Sequence, residues 1–137
     1  MSEPGENTRA NDEASPKVLS VALLMFGLWG LAAPYLSTAL GFVIPVPAKV
    51  EFVDHVVPGI IILGVALFSI FTGRLPLVGS LMALLGGFWM TMTHLPALRD
   101  GFRHIIPIQA ALIHSLPGLA ILAVAAAMSI KAYKLAP

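Results

Sequence analysis

The side chains of this chain that could bind a ligand or take part in a reaction are four histidines and the carboxylates near them. They are His55, His94, His104 and His114, with Glu51, Asp54 and Asp100 a few positions away. Imidazole and carboxylate groups are ligands of first-row metal ions, and two histidines on separate membrane helices can hold a haem. The residues therefore admit a metal or haem site, or a contact with a quinone or a lipid.

The spacing of the histidines also admits a simpler interpretation. No two of them stand at the His-x-x-x-His spacing that would place both on one helix face. Histidines at the ends of membrane helices can cap backbone groups or turn their polar tips to water and headgroups, and then bind nothing. We expect this simpler role, and we expect neither a catalytic centre nor a bound cofactor.

The composition of the chain indicates that its solvent is lipid. Hydrophobic residues make up 58% of the 137 residues and charged residues only 11%, whereas soluble domains carry about 25% charged residues. The net charge of +1 provides no basic patch for nucleic acid. The absence of cysteine excludes disulfides, iron–sulfur clusters with thiolate ligands and a thiol nucleophile.

The elements that must position the histidines are four predicted transmembrane helices, each with the roughly 20 apolar residues that a span requires. They are Val18 to Leu40, Val53 to Thr72, Leu75 to His94, and a fourth within Ile105 to Ile130. The sequence thus predicts an all-α, polytopic membrane protein. Its polar residues 1–17 are predicted to form a disordered tail, and the segments 41–52 and 95–109 to form the longer connections. In this arrangement all four histidines fall on one side of the membrane.

Lysine and arginine give the orientation in the membrane. Five of them fall on the side of the N-terminus and three on the other side: Arg9, Lys17, Arg74, Lys131 and Lys134 against Lys49, Arg99 and Arg103. This bias favours a multi-pass protein of the inner (cytoplasmic) membrane with both termini in the cytoplasm and the histidines outside.

Two motifs recur in the same order in the two halves of the chain. Gly27-Leu28-Trp29 recurs as Gly87-Phe88-Trp89, and His55-Val56-Val57-Pro58-Gly59 recurs as His114-Ser115-Leu116-Pro117-Gly118. The tryptophans are 60 positions apart and the histidines 59. The pattern predicts two copies of a helical hairpin, residues 18–72 and 73–137. Because each copy crosses the membrane twice, the copies should be related by a pseudo-twofold axis along the membrane normal.

This double pattern of a Gly-x-Trp helix followed by an apolar helix that starts at Pro-Gly resembles the SPW-repeat family of small bacterial integral membrane proteins. The resemblance covers residues 18–130, although the Ser-Pro-Trp motif itself is absent. It implies a four-helix membrane fold and supplies no catalytic residues.

Small residues on the predicted helices suggest how they associate. Gly79, Ala83 and Gly87 are spaced four apart, and Gly27 and Gly30 lie on the first helix. Such small-residue ridges allow helix backbones to approach closely in lipid, either inside one protein or against a partner. Two tryptophans stand beside these ridges and are expected to pack between helices: Trp29 and Trp89.

The function that these features favour is that of a non-catalytic accessory subunit in a larger respiratory or transport assembly. Its partners would be the lipid bilayer and other integral membrane subunits. The middle of the spans offers only hydroxyl groups, such as Ser20, Ser69, Thr91 and Ser129, which argues against proton-coupled transport. Two alternatives stay open. One is a haem-, metal- or quinone-binding protein that uses the histidine side, and the other is a small-solute transporter that works as an oligomer.

Overall fold

The structure, a computed structural model, describes residues 15–42 and 47–135. These residues are helical apart from short connections, with no strand among them. The elements are α1 (Pro16–Ala39), α2 (Ala48–Glu51), a π-helical turn (Phe52–Val56), α3 (Val57–Thr72), α4 (Leu77–Phe102) and α5 (Ile108–Lys134). Four segments are long and apolar enough to cross a membrane, namely α1, Lys49–Thr72, α4 and α5. The predicted all-α fold with four candidate spans is thereby confirmed. Most of the predicted tail, residues 1–14, lies outside the described residues.

Helix α4 is longer than the sequence suggested, and this changes the setting of His94. The helix continues past His94 and through Pro96 to Phe102, although this stretch was predicted to be a connection. Gly101 makes the extension possible, because it brings the last turn of α4 so close to α5 that a Cβ there would lie 2.5 Å from the Cβ of Ala111. His94 is therefore not at the end of a helix but well inside one.

The tightest contact in the fold joins α4 and α5. A Cβ on Gly87 would lie 2.8 Å from the backbone nitrogen of Leu122, and one on Gly118 would lie 2.9 Å from the backbone nitrogen of Thr91. Both distances are too short for any side chain, so glycine is required at these positions. In lipid such close backbone packing is a main source of helix association, and it fixes the spacing of the two helices that carry His94 and His114.

The predicted ridge on α4 is used inside the protein. Ala83 is fully buried, Gly87 contacts α5, and Gly79 is partly buried against Val65 and Pro76. A partner could reach Ala83 only if the helices separated, so the docking use that we considered for this ridge does not fit the fold.

An apolar core fills the bundle below the histidines. Its largest members come from all four spans and are almost completely buried: Leu23, Ile62, Met90, Ile121 and Met128. On α1, Gly27 and Gly30 approach this core closely, since a Cβ on Gly27 would lie 2.9 Å from Ile62 and one on Gly30 would lie 2.7 Å from Met90. The core therefore closes the bundle on the side away from the histidines.

Candidate functional site

Three of the four histidines meet in the interior of the bundle. His55 comes from the π-helical turn, His94 from α4 and His114 from α5, and their exposed fractions are 1%, 8% and 5%. Their ring centroids are separated by 4.5 Å (His55–His94), 5.6 Å (His55–His114) and 6.1 Å (His94–His114). His104 is not part of this cluster, because it lies exposed just after the end of α4 with a positive φ of 59°.

The three buried histidines lie within segments that are long and apolar enough to cross a membrane. Each is six to eight residues from the nearer end of its helical segment, Ala48, Phe102 or Ile108, which corresponds to about 9–12 Å along the helix axis. The expectation that they face water or headgroups at the helix ends is therefore wrong for these three. Ionisable side chains inside membrane segments are expensive to bury and usually mark a functional site.

Each of the three rings is oriented by a backbone carbonyl. The Nδ1 atom lies 2.8 Å from the Gly30 oxygen in His55, 2.6 Å from the Met90 oxygen in His94 and 3.1 Å from the Ala110 oxygen in His114. A carbonyl oxygen can only accept a hydrogen bond, so these contacts favour a proton on Nδ1 of every ring. The Nε2 atom of a neutral ring then carries a lone pair, which is the arrangement found in most histidine metal ligands.

The Nε2 atoms of His55 and His94 lie only 2.8 Å apart. If both rings carry their proton on Nδ1, two lone pairs face each other at hydrogen-bond distance, and a cation or an extra proton is needed between them. The pair can also stay neutral if Thr93, whose Oγ1 is 3.0 Å from His94 Nδ1, donates to that atom. His94 would then carry its proton on Nε2 and give up its bond to the Met90 carbonyl.

His114 contributes a third nitrogen. Its Nε2 atom is buried and has no hydrogen-bond partner in the part of the chain that the structure describes. A buried nitrogen that makes no hydrogen bond costs about 1–3 kcal/mol. Such unsatisfied groups are uncommon in native proteins and indicate a missing partner, such as an ion or a water molecule.

A cavity of about 430 Å³ leads to the histidines from the surface. All three rings line it, together with three carboxylates: Glu51, Asp54 and Asp100. Val50 and Ile105 on its wall are exposed, so the cavity reaches the end of the bundle that carries the loops. The indole Nε1 of Trp89 donates to Asp54 Oδ1 over 3.1 Å, and Asp100 is paired with Arg99 at 2.9 Å.

The geometry of the cluster distinguishes between two ligands that the sequence allowed, a haem and a metal ion. A haem bound by two histidines would hold their Nε2 atoms about 4 Å apart across the porphyrin. The separation of 2.8 Å leaves no room for a porphyrin between His55 and His94. Within residues 15–42 and 47–135, no group of three or more His, Asp or Glu side chains is placed so that it could hold a metal ion without rearrangement. A metal ion between His55 and His94 would therefore have to recruit its third ligand by a movement of the His114 ring.

Sequence reasoning missed the backbone partners of the site. The Gly30 carbonyl accepts a hydrogen bond from the His55 ring, and Trp29 Nε1 is buried with no hydrogen-bond partner among the described residues. Pro34 is the sequence feature that could have predicted this contact. A proline inside a helix has no amide proton, so the carbonyl four residues earlier lacks its usual hydrogen-bond donor, which is costly in a membrane.

Comparison with known proteins adds no relative. No protein-family model, no curated protein and no solved structure matches this chain. The resemblance to the SPW-repeat family gains no support from these searches, and the function has to be argued from the geometry of the chain itself.

Proposed function

We propose that this protein binds a divalent first-row transition-metal ion inside the membrane, through Nε2 of His55, His94 and His114. The observation that carries the proposal is the 2.8 Å separation of two Nε2 atoms whose Nδ1 atoms are both held by carbonyls. Two neighbouring imidazole ligands at 2.0–2.1 Å from one ion place their nitrogens roughly 2.8–3.4 Å apart, with the lower value at a right angle and the upper at a tetrahedral angle. An ion would supply the positive charge that the two lone pairs require.

The third ring stands at a distance that suits the same ion. Three imidazoles that bind one ion through Nε2 have ring centroids roughly 4.5–6 Å apart, depending on the angle at the metal. The separations of 4.5 and 5.6 Å lie within this range, and the separation of 6.1 Å between His94 and His114 lies slightly above it. Rotation of the His114 side chain completes the site, and binding gives its buried Nε2 atom a partner.

The donor set and its surroundings favour particular ions. Imidazole nitrogens suit zinc, copper, iron and nickel, whereas calcium and magnesium prefer sites built from oxygen ligands. A divalent cation inside a membrane protein needs negative charge nearby. The carboxylates of Glu51 and Asp54 line the same cavity and supply it. This proposal replaces our expectation that the protein carries no cofactor.

The proposal is tested by titrating the purified protein in mild detergent with Co²⁺, which absorbs visible light strongly when it is four- or five-coordinate. We expect one ion per chain, displaceable by Zn²⁺. The matched control is His104→Ala, which removes the exposed histidine and should leave the stoichiometry and spectrum unchanged. If wild-type protein binds no stoichiometric Co²⁺, Zn²⁺ or Cu²⁺, the proposal fails.

The sequence suggested two other functions, small-solute transport and the role of accessory subunit. The core below the histidines includes the apolar side chains of Leu23, Ile62 and Met128, and their packing supports a binding site over a transport route for small solutes. The role of accessory subunit in a larger membrane assembly stays a prediction. It is compatible with a metal site, since a subunit can contribute its ion to a complex.

We further propose the orientation that the lysine and arginine distribution favours, with both termini in the cytoplasm of a bacterial cell and the mouth of the cavity outside. We expect an impermeant thiol reagent to label Asp100→Cys in intact cells and not Gly5→Cys. Labelling of the second variant alone would show that the orientation is reversed. The natural chain has no cysteine, so the background is low.

Finally, we propose that the two hairpins arose by duplication. The support is a set of contacts that occur in both halves at a constant offset. Gly27 contacts Ile62 and Leu63, and Gly87 contacts Ile121 and Leu122. Gly59 contacts Leu31, and Gly118 contacts Thr91. Each residue of the first set has its counterpart 59 or 60 positions later, and His55 then corresponds to His114.

A further inference from the structure

The hydrogen bond that orients His55 differs from those of the other two rings. His94 and His114 each donate to the carbonyl four residues earlier on their own helix, so each of these rings is oriented by a contact within a single helix. His55 donates to the Gly30 carbonyl on α1, 25 positions away along the chain. The orientation of one ligand therefore depends on a second helix.

The Gly30 carbonyl is able to accept this bond because of Pro34. In a regular α-helix the carbonyl of residue 30 accepts from the amide of residue 34, but proline has no amide proton. Pro34 lies inside α1, so the helix continues while this one bond is missing. A buried carbonyl without a donor is costly at membrane depth, and the His55 ring supplies the donor over 2.8 Å.

The packing of α1 at this turn brings the carbonyl within reach. Gly30 is buried, and a Cβ on it would lie 2.7 Å from the Cε atom of Met90 on α4. Because Gly30 has no side chain, the end of the Met90 side chain can lie against the backbone of α1. The same turn of α1 thus contacts a side chain from the helix that carries His94 and holds the ring of His55.

We infer that Pro34 is a positioning residue of the metal site. By withholding an amide proton from Gly30, it keeps the proton of His55 on Nδ1 and turns the Nε2 lone pair toward His94. This inference deepens the proposed metal-binding function and rests on it, although its effect on the His55 proton is independent of any metal.

The test is Pro34→Ala. The new amide of residue 34 can bond to the Gly30 carbonyl within the helix and competes with His55 for it. We expect the affinity for Co²⁺ to fall about 10–100-fold, the usual effect of losing a partner that orients a ligand. Thermal stability should stay equal or rise, because proline is the least favourable residue in a helix interior. A merely structural role for Pro34 predicts the opposite pattern, with lower stability and unchanged affinity.

The control is the same substitution in a His55→Ala background. There Pro34→Ala should have no further effect on Co²⁺ affinity, since the ring that it releases is gone. An equal loss in both backgrounds, or no loss in either, would overturn the inference.

A metal-free measurement separates this inference from the proposed function. In ¹⁵N spectra of the histidine rings, wild-type His55 should be protonated at Nδ1, and Pro34→Ala should shift population to Nε2. If wild-type protein binds no metal but this shift occurs, the positioning role stands and only the metal site fails. If the His55 tautomer is the same in both proteins, Pro34 does not position the ring.

Discussion

His94→Ala is expected to lower the affinity of the purified protein for Co²⁺ by at least about 100-fold, because removing a ligand should cost more than removing a group that orients one. His94 supplies one of the two Nε2 atoms that lie 2.8 Å apart, and its ring centroid is 4.5 Å from that of His55 and 6.1 Å from that of His114. Without it the remaining two nitrogens can hold an ion only weakly. Equilibrium titration followed by visible absorption measures the change.

Two further variants make this result specific. His104→Ala should bind like wild type, since His104 is exposed and outside the cluster. His114→Ala should lower the affinity as well, but it should leave the His55–His94 pair in contact. If His94→Ala retains both the wild-type affinity and the wild-type spectrum, the bound ion lies elsewhere and the three-histidine site is wrong.

The second large effect is expected from Gly87→Ala. The added methyl group would lie 2.8 Å from the backbone nitrogen and 3.0 Å from the Cα atom of Leu122. Backbone atoms cannot turn aside as a side chain can, so α4 and α5 must separate. We expect a loss of about 1–3 kcal/mol in the free energy of unfolding, typical of overpacking a tight interface. Unfolding of the purified protein in mixed micelles with increasing denaturing detergent would measure it.

The matched control for this prediction is Gly64→Ala on α3. Gly64 is also a helical glycine, but it is exposed, and a Cβ there would have no neighbour within 4 Å. Alanine is favoured over glycine in a helix by about 1 kcal/mol, so this variant should be as stable as wild type or more stable. Equal behaviour of the two variants would mean that the close contact of α4 with α5 is not formed.

The packing of α4 on α5 also links the predictions for His94→Ala and Gly87→Ala. Gly87 and Gly118 set the distance between the helices that carry His94 and His114, and Ser115 donates to the His94 carbonyl over 3.2 Å. A change in the helix spacing therefore moves two of the three ligands relative to each other. We expect folded Gly87→Ala protein to bind metal more weakly than Gly64→Ala protein.

The sequence by itself determined the class of this protein and the end of the bundle near which its histidines lie. Four apolar stretches of sufficient length require four helices, because the backbone must satisfy its own hydrogen bonds in lipid. The order of the spans then places the segments around His55, His94 and His114 at the same end of the bundle. The sequence also predicted close helix packing at Gly27 and Gly87, where an added Cβ would lie 2.9 Å and 2.8 Å from its nearest neighbour.

Only the tertiary structure decided which way the histidines point. In a soluble helix the apolar face indicates the rotation about the helix axis. These spans are apolar on every side, because lipid and protein interior accept the same side chains, and so the sequence pattern cannot tell an inward histidine from an outward one. Rotation is set instead by contacts between distant segments, such as Gly87 against Leu122 and Gly30 against Met90. Those contacts turn three histidines toward one another and leave His104 outside.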